Sequence, residues 1–145
     1  MPHPSGSEAA RRAMTILVVD DEPSICALVR TMLWRAGYTV LEASGGEEAL
    51  EVAAGHDSPI QLLLADVLMP DMNGYELAEK LRLVRPEAQV LYMSGYRDNV
   101  LMESAGRSRE EAPLIRKPFT QYSLTAKISE LLEDAGQGPS LQLPG

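Results

Sequence analysis

Between residues 14 and 134 the chain alternates short apolar runs with longer amphipathic stretches, and that alternation predicts its elements. Ile16-Leu17-Val18-Val19 is continuously apolar, too short for a helix and without the polar alternation of a half-exposed strand. It predicts a strand over 15–20 that is covered on both faces. From Pro23, a residue suited to a first helical turn, apolar positions recur at Ile25, Leu28, Val29, Met32 and Leu33. That is the spacing of one helix face, and Gly37 ends it. A short strand over 38–42 leads to Ser44-Gly45-Gly46-Glu47, which has the Ser-x-x-Glu form of a capping box and opens a helix with Leu50 and Ala53 inward. The strand predicted over 60–65 is again nearly all apolar. Gly74 begins a helix with Leu77, Ala78, Leu81 and Val84 on one side, and Pro86 closes it before a strand over 88–93. Residues 97–105, with Val100, Leu101 and Ala105, read as a further short helix and 106–111 as loop. A strand over 113–116 and a helix over 120–134, burying Leu124, Ile128, Leu131 and Leu132, complete the pattern.

Five strand–helix units with short connections predict an α/β fold, a parallel sheet with helices on both faces. The 145 residues suit one domain, spanning 14–134. Residues 1–13 and 135–145 lack periodicity, are rich in Gly, Pro and Ser, and read as a flexible N-terminal arm and a flexible C-terminal tail.

Composition narrows the class. With five Tyr, one Trp and one Phe, the core must be aliphatic. A formal charge of -8, from 21 acidic and 13 basic residues, argues against a nucleic-acid surface. Cys26 is the lone cysteine, so no internal disulfide forms, which fits a reducing, cytoplasmic setting. No apolar run approaches a membrane span, and Arg11-Arg12 is not followed by the apolar stretch of a signal peptide.

The chemistry lies where the apolar runs stop. The first ends in Asp20-Asp21, the third in Asp66, the fourth in Ser94 and the last in Arg116-Lys117-Pro118. In open parallel sheets ligands bind outside the carboxyl ends of the strands, so these groups can converge. Asp21 and Asp66 suit Mg²⁺, which takes one or two carboxylates together with waters and phosphate oxygens, and Asp20 can hold a metal-bound water. Asp66 can act as a carboxylate nucleophile toward phosphorus, with Lys117 as a point charge and Ser94 Oγ on the remaining phosphate oxygens. Each residue has a plainer reading. Asp20-Asp21 can cap the helix at Pro23, Lys117 can pair with a surface carboxylate, and Ser94 can start a turn.

Together, Val18-Val19-Asp20-Asp21-Glu22-Pro23, Asp66-Val67-Leu68-Met69-Pro70-Asp71-Met72-Asn73-Gly74, Met93-Ser94-Gly95-Tyr96 and Lys117-Pro118-Phe119 closely resemble the receiver domains of two-component response regulators. The resemblance runs from about Thr15 to Leu132 and looks most like receivers of hybrid sensor histidine kinases. It implies a flavodoxin-like (βα)5 fold with strand order 2-1-3-4-5 and Asp66 as phosphoacceptor. It implies Mg²⁺ (or Mn²⁺) held by Asp21, Asp66 and the Leu68 carbonyl, with Asp20 acting through water. It makes Ser94, Gly95 and Lys117 the phosphate-binding and switch residues, and it implies a cis peptide before Pro118. The partner it implies is a sensor histidine kinase or a histidine phosphotransfer protein, with at most a weak homodimer, no nucleic acid and no membrane contact by this segment. The domain is then not an enzyme, beyond catalysing its own phosphotransfer. One position departs from the family: Leu114 stands where a Tyr or Phe usually takes part in switching. That departure motivates an alternative, a receiver-fold interaction module that works without phosphorylation. A hydrolase with an Asp nucleophile is disfavoured, because its general acid would stand at Leu68.

Overall fold

Three of the five strand-forming runs are central to one parallel sheet and two form its edges, and the chain crosses between them through helices that cover both faces. In a computed structural model, residues 14–95 and 113–142 are described. The elements are β1 (Thr15–Val19), α1 (Pro23–Arg35), β2 (Thr39–Ala43), α2 (Gly46–Gly55), β3 (Leu62–Asp66), α3 (Gly74–Val84), β4 (Gln89–Ser94), β5 (Leu114–Arg116) and α4 (Gln121–Gln142). The strands are all parallel in the order β2-β1-β3-β4-β5, with Val19 opposite Ala43 and Ala65, and Asp66 opposite Met93. The expected helix over 97–105 and the expected arm over 1–13 lie outside the described residues.

The period of two along each strand divides the core. Leu17, Val19, Leu63 and Ala65 face one way and pack with Ala49, Ala53, Leu77 and Leu81 from α2 and α3. Ile16, Val18, Leu62 and Leu64 face the other and pack with Cys26, Val29 and Leu33 of α1 and with Leu124, Ile128 and Leu132 of α4. This is why β1 and β3 read as unbroken apolar runs.

Several expectations are corrected. Leu28 is 50% exposed. The inward stripe of α1 is Cys26, Val29 and Leu33, and Leu28 lies roughly a third of a turn from its centre at 3.6 residues per turn. Val84 is 45% exposed, because α3 ends there and no further turn shields it. The Ser44–Glu47 capping box does not form. Gly45 is the N-cap of α2 and supplies no side-chain cap, while the Ser44 N–H donates to Glu48 Oε1 at 2.7 Å. The cap comes instead from Asp71, whose carboxylate accepts the Gly46 and Glu47 N–H groups at 3.2 and 3.0 Å. A true capping box sits on α3, where Asn73 and Glu76 each accept the other's backbone N–H. The tail expected to be loose from 135 is helical to Gln142. Gly136 and Gly138 fail to stop it because neither takes the left-handed conformation of a helix C-cap; Gly37 is the only described glycine with positive φ.

Side chains from either flank of α3 hold both ends of α2. Asp71 precedes α3 and covers the N-terminus of α2. Arg85, which follows α3, donates to the carbonyl oxygens of Ala53 at 2.8 and 3.0 Å, of Ser58 at 3.1 Å, and of His56. Negative charge at a helix N-terminus and positive charge at its C-terminus both match the macrodipole. Arg85→Ala leaves those carbonyls without their charged donor. It is expected to lower stability by about 2 kcal/mol, read as a lower denaturant midpoint at unchanged slope.

Candidate functional site

The strand order reverses between β1 and β3, and the crevice at their carboxyl ends is the place where ligands bind in such sheets. The first residue past β1 is Asp20, and β3 ends on Asp66. Asp20 is fully buried. Its Oδ1 accepts the Glu22 N–H at 2.9 Å and its Oδ2 accepts Lys117 Nζ at 2.9 Å. Its backbone N–H donates to the Ala43 carbonyl at 3.3 Å, locking the end of β1 to β2. Asp21, the next residue, is exposed. Helix α1 starts with Glu22 as N-cap and without a side-chain cap, so neither Asp20 nor Asp21 takes the plain N-cap role.

Lys117 is carried past β5, where its N–H bonds to the Ser94 carbonyl at 2.9 Å. Its side chain crosses the crevice and lies 2.9 Å from Asp20 Oδ2 and 3.4 Å from Asp66 Oδ2. The surface-pair reading of Lys117 is thereby excluded. The Lys117–Pro118 peptide is cis. Ser94 ends β4 buried, and its Oγ donates to the Gly95 carbonyl at 3.2 Å.

Ligand atoms of Asp20, Asp21 and Asp66 all lie within 4.8 Å of one another. Three hard oxygen donors with a single ammonium beside them suit a divalent cation that takes carboxylates and waters. The electrostatics agree. Burial first, and the Asp20 carboxylate second, push the Asp66 carboxyl up to about 6, against the opposing pull of Lys117. Burial would lower the Lys117 ammonium, but its hydrogen bond to Asp20 and the charge of Asp66 outweigh it and hold the value above the ordinary one. Leu68, on the loop after Asp66, is 43% exposed, and its N–H donates to Asp66 Oδ1 at 3.4 Å. Leu114 pairs in register with Tyr92 and packs, partly buried, against the α2–α3 side of the core. The Cys26 thiol lies beneath the site, donating to the Asp20 carbonyl at 3.3 Å, and burial pushes it up to about 11.

Two residues bordering the site, Asn73 and Asp71, are absent from the candidates that strand ends suggest. Asn73-Gly74-Tyr75-Glu76 carries the Asn-x-x-Glu signal of a capping box, so Asn73 is recognisable locally. Asp71 carries no local signal, since its partners are 24 and 25 positions away in the chain.

A doubly wound 2-1-3-4-5 sheet with an acidic cluster and a lysine at its carboxyl edge defines the class. The response regulator receiver domain family model matches residues 16–129, and the chain belongs to that family. It is similar to the sensor kinase CckA of Brucella abortus, 31% identical over 82% of this chain and 12% of that kinase. It is also similar to the receiver protein CpdR of the same organism, 29% identical over 81% of this chain and 95% of CpdR. The alkaline phosphatase synthesis regulator PhoP of Bacillus subtilis is 34% identical over 81% of this chain and 48% of PhoP. The chain thus spans about half the length of such transcriptional regulators and a small part of the kinase. Among solved structures, the receiver domain of the hybrid histidine kinase CckA superposes with TM-score 0.68 at 32% identity, covering 81% of this chain and 98% of that one. A receiver domain protein of Clostridium thermocellum gives 0.73 at 27% identity, covering 85% and 97%. No described helix is long and apolar enough to cross a membrane.

Proposed function

We propose that the domain accepts a phosphoryl group onto Asp66 from a phosphohistidine of a sensor histidine kinase or a histidine phosphotransfer protein. One observation carries this reading. Lys117 Nζ stands between Asp20 and Asp66, while the Asp21 carboxylate completes an oxygen cluster on the open side. An Asp66 oxygen attacks phosphorus in line. The P–O bond to the carboxylate forms as the P–N bond of the donor breaks, and the released imidazole nitrogen takes a proton from solvent. Lys117 is placed to pair with one phosphoryl oxygen and Ser94 Oγ to donate to another, once it turns from the Gly95 carbonyl. Asp21, Asp66 and the Leu68 carbonyl would hold Mg²⁺, which when bound neutralises the charge gathering on the phosphoryl oxygens. Asp20 supports an outer role through water, because both its oxygens already accept hydrogen bonds. Ser94, Gly95 and the Leu114 position form the switch region, and the bound phosphoryl biases its two arrangements.

Incubation of the purified chain with Mg²⁺ and a small phosphodonor tests the proposal by mass. A gain of one phosphoryl group in the wild type, absent from Asp66→Asn and from samples with chelator, is expected. A gain that survives Asp66→Asn overturns it. The absence of any phosphoryl gain overturns it as well, and failure to bind Mg²⁺ would favour a receiver-fold interaction module instead.

A further inference from the structure

We propose that Asp71 is a positioning residue for the acidic site: it clamps the loop carrying Leu68 onto the N-terminus of α2. The inference rests on the reading of Asp21, Asp66 and the Leu68 carbonyl as the metal-holding set.

The loop over 67–73 leaves β3 directly after Asp66. Its ends are pinned by backbone bonds, from the Val67 N–H to the Met93 carbonyl at 3.0 Å and from the Gly74 N–H to the Val67 carbonyl at 2.9 Å. Between them, the Leu68 N–H makes only a long contact to Asp66 Oδ1. Met69 and Met72 anchor the middle of the loop in the core, and its polar tertiary hold is the Asp71 carboxylate, with one oxygen on the Gly46 N–H and the other on the Glu47 N–H. The hydrogen bond from Glu47 is the main cause that keeps this carboxyl below its ordinary range, so the clamp stays charged. The facing surface is shaped to receive it. A Cβ on Gly45 would lie 3.1 Å from both Asp71 oxygens, and one on Gly46 would lie 2.3 Å from Met72 Cγ. Two consecutive glycines therefore let the loop seat against the helix start.

The clamp also closes a circuit through the sheet. The turn that bears Gly45 and Gly46 follows β2, and the Ala43 carbonyl accepts the Asp20 N–H. The loop on one side of the cluster and the end of β1 on the other are thus tied to the same turn. Releasing Asp71 frees the Leu68 carbonyl to wander relative to Asp21 and Asp66, and a ligand set held less firmly binds its ion less tightly.

Mg²⁺ titration by calorimetry on the full chain, with amide hydrogen exchange at Gly46 and Glu47, tests this. Asp71→Ala should raise the Mg²⁺ Kd about tenfold and speed exchange at both amides. Asp71→Asn, with one acceptor oxygen instead of two, should fall between it and the wild type. Arg85→Ala loosens the opposite end of the same helix and should leave the Kd unchanged while lowering stability. Wild-type affinity in Asp71→Ala, or an equal loss in Arg85→Ala, overturns the proposal. If Asp71→Ala fails to fold, the comparison of Asp71→Asn with Arg85→Ala decides in the same way. A wild type that binds no Mg²⁺ overturns the metal-holding assignment and this inference with it, whereas wild-type binding with an unaltered Asp71→Ala overturns this inference alone.

Discussion

Asp66→Asn is expected to stabilise the metal-free protein at neutral pH by about 2 kcal/mol while removing most of its stabilisation by Mg²⁺. The Asp66 carboxyl, pushed up to about 6 by burial and by Asp20, holds its proton more tightly in the folded than in the unfolded chain. Its contribution to stability is therefore full below the unfolded value near 4 and is lost as pH rises through about 6. The folded and unfolded values lie about two pH units apart, and at about 1.36 kcal/mol for each the difference bounds the effect. The attraction of Lys117 opposes the rise without cancelling it. Asparagine keeps the shape and removes the charge. Mg²⁺ that binds only the folded state would reverse the penalty in the wild type, by about 2.7 kcal/mol at one hundred times its Kd. Denaturant melts from acid to slightly alkaline pH, with chelator and with Mg²⁺, check this. A metal-free Asp66→Asn that is less stable than the wild type at neutral pH would contradict the electrostatic account.

Gly74→Ala should lower stability by about 2 kcal/mol and weaken the site as well. A Cβ at position 74 would stand 2.6 Å from the Asp66 carbonyl oxygen, 3.2 Å from its carbonyl carbon and 3.3 Å from Val67 Cα. These are backbone atoms of Asp66 and Val67, and no flexible side chain can yield. Overpacking of this kind costs about 1–3 kcal/mol, and because Gly74 is the first residue of α3, the roughly 1 kcal/mol that alanine gains over glycine in a helix interior offsets little of it. The backbone shift that relieves the clash moves Asp66 relative to Asp20 and Lys117. A raised Mg²⁺ Kd should therefore accompany the lower denaturant midpoint. A Gly74→Ala protein with wild-type stability and affinity would show that the loop relaxes without disturbing β3.

The strands and the site's main residues were readable from the chain because their causes are local. A fully apolar run of four or five residues bounded by polar groups has few outcomes besides a covered strand, and the residue at its end must emerge at the sheet's carboxyl edge. Asp20, Asp66, Ser94 and Lys117 could be placed on one edge from that alone. Helix faces were less secure. Leu28 fits the spacing on paper, but the sheet beneath α1 chose the stripe of Cys26, Val29 and Leu33.

Helix ends were legible only where the cap was local. Asn73 and Glu76 find each other within one turn, whereas Ser44 and Glu47 have the same spacing and do not. A carboxylate from a distant loop offers α2 a charged acceptor for two N–H groups at once, and the side chain of Ser44 is left out. The C-terminus repeats the point in reverse, since Gly136 and Gly138 look like stop signals but do not take the conformation that stops a helix.

The sequence by itself determined the alternation of elements and which oxygen and nitrogen groups meet at the sheet's edge, because each follows from periodicity or from position at a strand end, while its motifs carried the resemblance to the family. Only the tertiary structure decided how those groups are held. The bridge of Lys117 between Asp20 and Asp66, the grip of Asp71 and Arg85 on the two ends of α2, and the contact that keeps position 74 a glycine join residues from separate elements. Such contacts arise from the packing of elements already formed, and no local pattern encodes them.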